Sequence, residues 1–244
     1  MCVILYKPKN VLLPKKDILY KCYTYNNDGA GYTFASNNNV IIKKGYKDFN
    51  EFYTSLLKDY KKYHLTKHNL IIHFRIGTSG GVTKQKTQPF KITNNVKELN
   101  KLYIKNKKAS IVHNGVFNNY TYNANNSDTQ NYIKDFLHPL LHSKILNKRD
   151  VIYNSIKSSK LAILTKSDKV FLYGEYIKYN GVYYSNNSFN GYTNIKDSIK
   201  YDFKGDIDTN GDVKEDSTIQ YYNEDYFTKY KDYKIWEYNY NYDY

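Results

Sequence analysis

The sequence predicts an α+β domain in which strands, helices and further strands follow one another in layers. Short apolar runs of strand length, separated by Asn- and Gly-rich turns, fill the first part of the chain. Helical spacing of apolar residues over 48–62 and a helix-capping pattern at Ser127 interrupt those runs. Three more strand-like runs follow residue 160, and no repeat or linker divides residues 1–195.

The first half of the chain predicts mainly strands. Phe49, Phe52 and Leu56 share one helical face, which predicts an amphipathic helix over 48–62. The three asparagines 37–39 are typical of a hairpin tip. A second helix is expected over 95–105. The predicted strands are 2–6, 32–35, 40–42, 69–76 and 109–113.

The second half predicts helices and then strands. Ser127 is a favourable N-cap, with Asp128 in the first turn and Gln130 three residues later. The helix that begins there is expected to reach residue 137, and two more helices follow. The predicted elements after it are a helix from Pro139, a helix over 149–158, and strands over 160–165, 169–173 and 182–185.

Composition and length exclude several classes of protein. The chain has 244 residues, 41% hydrophobic and 25% charged, and no apolar run approaches the roughly 18 residues of a membrane helix. Two cysteines exclude a disulfide scaffold, and the N-terminus does not resemble a secretory signal. We therefore expect a cytoplasmic protein without membrane partners. The 30 tyrosines and abundant Asn, Lys and Ile are typical of a low-GC bacterium or its phage, in which case the location is the host cytoplasm.

Charge divides the chain unevenly. Residues 1–200 carry 32 Lys and Arg against 12 Asp and Glu, whereas residues 201–244 carry 5 against 11. We predict a basic domain over 1–195 and an acidic, Tyr-rich C-terminal extension over 196–244. Basic charge suits nucleic acid, but the lysine runs, such as Lys43-Lys44, are scattered and favour solvated faces. Nucleic acid is therefore an unlikely partner, and the oligomeric state stays open.

Cys2 is the strongest chemical feature. Methionine aminopeptidases remove Met1 when a small residue follows, which would leave a thiol and an α-amino group on one residue. The amine has a pKa of about 7.7–8.0 and the thiol one of about 8.5, so the amine can act as base for its own nucleophile. A cysteine at position 2 can also be incidental. The motifs that follow along the chain therefore decide whether a catalytic role is predicted.

Four motifs follow Cys2 in a characteristic order. They are Asn-Asp-Gly-Ala-Gly at 27–31, His-Phe-Arg-Ile-Gly-Thr-Ser-Gly at 73–80, His-Asn-Gly at 113–115 and Ser-Asp-Thr at 127–129. Together with Cys2 they resemble the class II glutamine amidotransferases. Those enzymes are N-terminal-nucleophile hydrolases with a four-layer αββα sandwich. The resemblance covers residues 2–130. Two later segments, 171–175 and 181–186, look like the far end of the domain in stand-alone bacterial and phage members.

The resemblance implies a role for each matched residue. Arg75 would hold the α-carboxylate of glutamine with both guanidinium donors, and Thr78 would add a contact. Asp128 would bind the α-ammonium. The Asn114 side chain and the Gly115 backbone N–H would form the oxyanion hole. Cys2 would attack the side-chain amide, form a γ-glutamyl thioester and release ammonia. No cofactor is implied, and a separate synthetase is the expected ammonia acceptor.

Two motifs depart from the family pattern. Amidotransferases attached to synthases usually carry Arg-Gly just before the aspartate of the second motif, whereas Tyr25 and Asn26 stand at those places here, as in stand-alone members; the candidate second-motif loop is Asn26, Asn27 and Asp28. Ile76 and Ser79 replace the common tryptophan and histidine beside the carboxylate site, and we count both as substrate-binding candidates. Another γ-glutamyl or amide substrate therefore remains open. So does a catalytically inactive protein of the same fold that binds nucleic acid or protein.

Two weaker patterns are candidate metal sites. Residues 206–213 match the first eight positions of an EF-hand loop, but Ser217 stands where the bidentate glutamate belongs. The candidate calcium ligands there are Asp206, Asp208, Asn210 and Asp212. The pairs His64/His68 and His138/His142 could each share a helical face. Because neither pair has the glutamate of a zinc motif, we expect no metal.

Overall fold

The computed structural model describes residues 2–77, 81–122 and 125–190, together with the backbone of residues 199–203. Within these residues no helix combines the length and the apolar character needed to span a membrane. Met1 lies outside the described residues, as do Thr78, Ser79, the four candidate calcium ligands and most of the C-terminal extension. The division at residue 195 stays a prediction.

The strands of the described residues are antiparallel throughout. They are β1 Val3–Lys7, β2 Gly29–Ser36, β3 Asn39–Tyr46, β4 Leu70–Arg75, β5 Phe90–Lys91, β6 Tyr103–Asn106, β7 Ser110–Asn114, β8 Lys160–Leu164, β9 Val170–Tyr179, β10 Val182–Tyr184 and β11 Ile199–Phe203.

The helices lie between these strands along the chain. They are α1 Lys16–Thr24, α2 Phe49–Lys62, α3 Val96–Leu99, α4 Asp128–Tyr132, α5 His138–His142 and α6 Lys148–Ile156, and a π-helical turn over Ile133–Leu137 joins α4 to α5. The predicted capping pattern is confirmed, because Ser127 Oγ accepts the Gln130 N–H (3.2 Å) and Gln130 Oε1 accepts the Ser127 N–H (2.9 Å).

The strands form two sheets that share β9. The first has the order β9-β10-β1-β4-β2-β3-β6, and the second has the order β5-β7-β8-β9. Residues 170–173 of β9 pair with β8, and residues 177–179 pair with β10. Gly174 lies between the two parts with φ +84°, and a Cβ there would lie 2.8 Å from the Ser159 carbonyl oxygen. Glycine therefore allows one strand to pass from one sheet to the other.

Three apolar clusters separate four layers. Alternate residues of β1 show the arrangement: Val3 and Leu5 face α1 and α2, whereas Ile4 faces the second sheet. The second sheet turns its other face towards α4 and α6, where Tyr132 and Ile152 are buried. The layers are therefore helices, sheet, sheet and helices.

The predicted helix over 95–105 is wrong beyond its first turn. Helix α3 ends at Leu99, and Tyr103–Asn106 pair with the edge of β3 as strand β6. Ile104 is buried in the cluster between the sheets. Tertiary pairing with the free edge of β3 decided this segment against its local helical pattern.

The prediction of a solvated Lys44 is also wrong. Its ammonium is buried, donates to the carbonyl oxygens of Gln85 (2.9 Å) and Leu99 (2.8 Å), and lies 3.9 Å from the centre of the Phe90 ring. Burial lowers its pKa well below the usual value. The Lys44 side chain is buried because the segment over 84–102 covers β3 and supplies both carbonyl oxygens.

The two histidine pairs differ from each other. His64 has φ +52° and His68 is extended, so the predicted shared helical face does not exist. His138 and His142 do share a face of α5, with ring centres 4.2 Å apart. Among the described residues no group of three or more His, Cys, Asp or Glu side chains is arranged to hold a metal ion.

Candidate active site

Cys2 lies at the start of β1, beside the end of β4. The pairing of Val3 with Phe74 sets this position, because Cys2 precedes the one and Arg75 follows the other. The Cys2 sulfur accepts the Ile76 N–H (3.4 Å), and Asn186 Nδ2 donates to the Cys2 carbonyl oxygen (2.8 Å). The Ile76 backbone thus holds the thiol, and the Asn186 amide holds the backbone of Cys2 at the edge of the first sheet.

Arg75 is buried at the end of β4, with 4% of its surface exposed. Its Nη2 donates to the Gly81 carbonyl oxygen (2.9 Å). Its own carbonyl oxygen accepts the Asp28 N–H (2.9 Å), and Asp28 Oδ2 accepts the Gly77 N–H (2.6 Å). The loops that precede β2 and follow β4 are therefore joined around the guanidinium.

The other two residues of the second-motif loop point elsewhere. Asn27 is exposed. Asn26 is fully buried, and its Nδ2 donates to the Cys22 carbonyl oxygen (2.9 Å) and to Ser188 Oγ (3.2 Å). Asn26 therefore ties α1 to the turn after β10 and supports the loop from behind.

Asp128 begins α4 and reaches the same region. It is 7% exposed, and its Oδ2 accepts the Phe117 N–H (2.8 Å). Burial raises the pKa of this carboxyl, while the N–H groups of Phe117 and Thr129 and the charge of Arg75 act in the opposite direction. Burial thus disfavours the ionised form of this carboxyl, and a cation beside it would favour that form.

The Cys2 thiol is electrostatically coupled to both charged residues. Burial raises its pKa above the ordinary value. The Ile76 N–H and the Arg75 charge favour the thiolate, whereas the Asp128 charge opposes it. Thiol, guanidinium and carboxylate therefore share one buried environment.

Asn114 and Gly115 follow β7 of the second sheet. Asn114 is 3% exposed and its Nδ2 donates to Ser185 Oγ (2.9 Å), which also accepts the Ile4 N–H (2.8 Å). Ser185 thereby links Asn114 to the strand that carries Cys2. Gly115 has φ +142°, and a Cβ there would lie 2.2 Å from Ser159 Oγ, so the turn requires glycine.

Two buried histidines connect the sheets behind these residues. His73 Nε2 lies 3.1 Å from the His113 carbonyl oxygen, and His113 Nδ1 lies 2.9 Å from Thr129 Oγ1. Burial lowers the pKa of each histidine to about 3. Both are therefore neutral at pH 7 and fix the relative positions of β4, β7 and α4.

Comparison with known proteins shows a likeness in fold only. No protein-family model matches the chain, and no curated protein matches its sequence. A solved structure of glutamine phosphoribosylpyrophosphate (PRPP) amidotransferase from B. subtilis, in complex with ADP and GMP, matches with a TM-score of 0.51 and 15% identity. The match covers 92% of this chain and 50% of that one. The chain has the N-terminal-nucleophile hydrolase fold. The predicted αββα sandwich is confirmed.

A second solved structure, described as the allosteric regulatory enzyme of purine biosynthesis, matches with a TM-score of 0.47 and 18% identity. It covers 78% of this chain and 43% of that one. The chain thus spans about half the length of the solved structures that it matches.

The fold brings together most, not all, of the predicted site residues. Cys2, Arg75, Asp28 and Asp128 meet at one end of the sheets. Asn114 and Gly115 reach this end from the second sheet. Ile76, predicted to bind substrate, contacts the Cys2 sulfur through its backbone instead.

Sequence reasoning assigned no role to Ser185, Asn186 and Ser159. Ser185 and Asn186 lie in the 181–186 segment, whose likeness to the far end of the family was the available signal. Their contacts with Asn114 and Cys2 join positions more than 70 residues apart. Nothing in the local sequence around Ser159 indicates its contact with Gly115.

Proposed function

We propose that the protein is a glutamine amidohydrolase or amidotransferase whose nucleophile is the thiol of Cys2, exposed as the N-terminal residue after removal of Met1. One observation carries the proposal. A partly buried thiol, a buried guanidinium and a buried carboxylate are coupled at one edge of an N-terminal-nucleophile hydrolase fold. Two opposite charges beside a nucleophile suit the α-carboxylate and α-ammonium of an amino acid.

Glutamine would complete the charges of the site. Its α-carboxylate would pair with Arg75, where a buried guanidinium favours an anion. Its α-ammonium would pair with Asp128, and this cation would favour the ionised form that burial disfavours. Thr78 and Ser79 would lie beside the carboxylate. Substrate binding therefore offsets a desolvation cost that the folded protein already carries.

The reaction would proceed through a thioester. The Cys2 sulfur attacks the carboxamide carbon, and the proton of the thiol passes to the free α-amino group of Cys2. Asn114 Nδ2 and the Gly115 N–H stabilise the oxyanion. The Cys2 ammonium then donates its proton to the amide nitrogen, and the carbon–nitrogen bond breaks with release of neutral ammonia. Water cleaves the γ-glutamyl thioester to give glutamate and the free thiol.

The released ammonia has two fates under this proposal. A separate synthetase accepts it, or hydrolysis is itself the reaction. A pull-down from the native cell that recovers a synthetase would support the first fate. Comparison of free glutamine with other γ-glutamyl amides identifies the substrate, because Arg75→Ala should raise KM strongly only when a free α-carboxylate is recognised.

Mass spectrometry of the mature protein and a glutaminase assay test the proposal. We expect loss of Met1, and release of glutamate and ammonia from glutamine. Cys2→Ala should abolish turnover, whereas Cys22→Ala is the matched control because Cys22 is a buried cysteine of α1 whose side chain packs in the core between α1 and the first sheet. Retention of Met1, or undiminished turnover in Cys2→Ala, would overturn the proposal.

A further inference from the structure

The Ser185 hydroxyl occupies a fully buried position between two parts of the candidate site. Its oxygen lies 2.8 Å from the Ile4 backbone nitrogen and 2.9 Å from Asn114 Nδ2. Ile4 belongs to β1, two residues after Cys2, and Asn114 ends β7 of the other sheet. One side chain thus spans from the strand of the nucleophile to the proposed oxyanion donor.

The hydrogen bonds around this hydroxyl are unbalanced. Ser185 Oγ accepts two N–H groups, and within the described residues its own proton has no acceptor. Asn114 Oδ1 is buried and has no hydrogen-bond partner within the same residues. A donor without an acceptor therefore lies beside an acceptor without a donor.

A half-turn of the Asn114 amide about its Cβ–Cγ bond removes both mismatches. The turn exchanges Oδ1 and Nδ2, so that Ser185 donates its proton to Oδ1 and still accepts the Ile4 N–H. The Asn114 Nδ2 then occupies the side that has no protein partner. An N–H donor with no protein acceptor is what an oxyanion hole requires.

We propose that Ser185 is a positioning residue that holds the Asn114 amide with Nδ2 directed at the substrate oxyanion. This inference rests on the proposed function, in which Asn114 is the side-chain donor. Ser185 itself does not touch the substrate. Because it also accepts the Ile4 N–H, it holds donor and nucleophile in one frame.

Steady-state kinetics of Ser185→Ala give the first measurement. We expect kcat to fall about 10- to 100-fold, less than the roughly 100- to 1,000-fold that complete loss of one oxyanion donor costs. KM should change little, because the donor acts on the transition state. Ser185→Thr keeps the hydroxyl and should restore most of kcat. Ser110→Ala is the matched control, because Ser110 is a buried serine whose hydroxyl bonds Thr33 between the sheets (2.9 Å). Its kcat should stay unchanged.

A double-mutant cycle separates the two contacts of Ser185. If Ser185 acts through Asn114, Ser185→Ala should change kcat less than about twofold in an Asn114→Ala background. If it acts only through Ile4, the full loss persists in that background and the inference is overturned. Should Ser185→Ala not fold, Ser185→Cys keeps the volume with a weaker donor. It should lower kcat, and an unchanged kcat would equally overturn the inference.

Nuclear Overhauser contacts test the orientation without turnover. With Oδ1 facing Ser185, the Asn114 Nδ2 hydrogens should show a weak contact or none to the Ile4 amide hydrogen. A strong contact there overturns the inference, whatever the activity. Absence of glutamine hydrolysis with the expected contact pattern would contradict the proposed function and leave the orientation standing.

Discussion

The two ends of strand β1 each carry a buried polar network, and the networks differ in whether all their buried polar groups have a hydrogen-bond partner. At the end remote from Cys2, the Lys7 ammonium donates to the carbonyl oxygens of Pro8 (2.8 Å) and Val11 (3.0 Å). Nearby, Asn69 Oδ1 accepts from the Tyr6 hydroxyl (3.0 Å) and the Lys9 N–H (3.0 Å). Every one of these groups has a protein partner.

At the Cys2 end, several buried groups lack one. Among the described residues, His73 Nδ1, His113 Nε2 and Asn114 Oδ1 are buried without a hydrogen-bond partner. Gly115, in the same turn, has a backbone that only glycine can adopt there. A completed network stabilises the fold, whereas the unpartnered atoms at the Cys2 end are candidates for contact with a bound molecule. The two ends therefore predict different effects of substitution.

The largest expected effect is that of Asn114→Ala. Loss of one oxyanion donor should lower kcat about 100- to 1,000-fold. The free energy of unfolding should fall by only about 1 kcal/mol, because the variant loses the single hydrogen bond between the Asn114 amide and Ser185 Oγ. Activity and urea denaturation would be measured together.

Asn69→Ala is the matched asparagine at the opposite end. It should leave kcat unchanged and lower the free energy of unfolding by about 1–3 kcal/mol, because it leaves buried partners unsatisfied. If the two variants exchanged these effects, the distinction between the two ends would be wrong.

The next effect is the pH dependence of Cys2 alkylation. Because burial raises the thiol pKa above its ordinary value, the rate of reaction with iodoacetamide should still be rising with pH where an exposed thiol has already reached its limit. Arg75→Gln removes a charge that favours the thiolate and should slow the reaction at fixed pH. Cys22, which is fully buried, serves as the internal control for unfolding. A rate that levels off below pH 8 would contradict this prediction.

A smaller effect is expected for Asp168→Asn at the remote end. Asp168 accepts the Asn69 N–H (3.2 Å) and pairs with His68 (3.1 Å), and its φ of +61° is one that asparagine tolerates. Burial raises the pKa of Asp168, so folding disfavours its charge; loss of the pairing with His68 is therefore partly offset, and the free energy of unfolding should change by less than about 1 kcal/mol with kcat unchanged. Thermal denaturation at pH 6 would measure it, and a fall in kcat would show that the two networks are coupled.

Tyr6→Phe should also have a small effect. It deletes one of the two hydrogen bonds to Asn69 Oδ1, and the Lys9 N–H remains. The expected loss is about 0.5–1.5 kcal/mol of unfolding free energy with no change in kcat. Calorimetry would measure it. A larger loss than that of Asn69→Ala would mean that Tyr6 stabilises the strand in another way.

Local patterns predicted the elements whose stability is itself local. The spacing of Phe49, Phe52 and Leu56 predicted α2, and the Ser127–Gln130 pattern predicted the start of α4. The strand boundaries near Cys2 and Arg75 were predicted within one or two residues. The helix over 95–105 was predicted wrongly, because part of this segment pairs with the edge strand β3. The exposure of Lys44 was predicted wrongly, because a segment distant in sequence covers it.

The sequence by itself determined the class of fold and the residue types that could carry the chemistry, since periodicity, caps and motif order are properties of neighbouring residues. Only the tertiary structure decided which of these residues meet. The β1–β4 register brings Cys2 beside Arg75, and the Phe117 N–H holds Asp128 in place. Ser185 joins Asn114 to β1. Contacts of this kind depend on how two sheets pack, and packing joins positions that no local pattern relates.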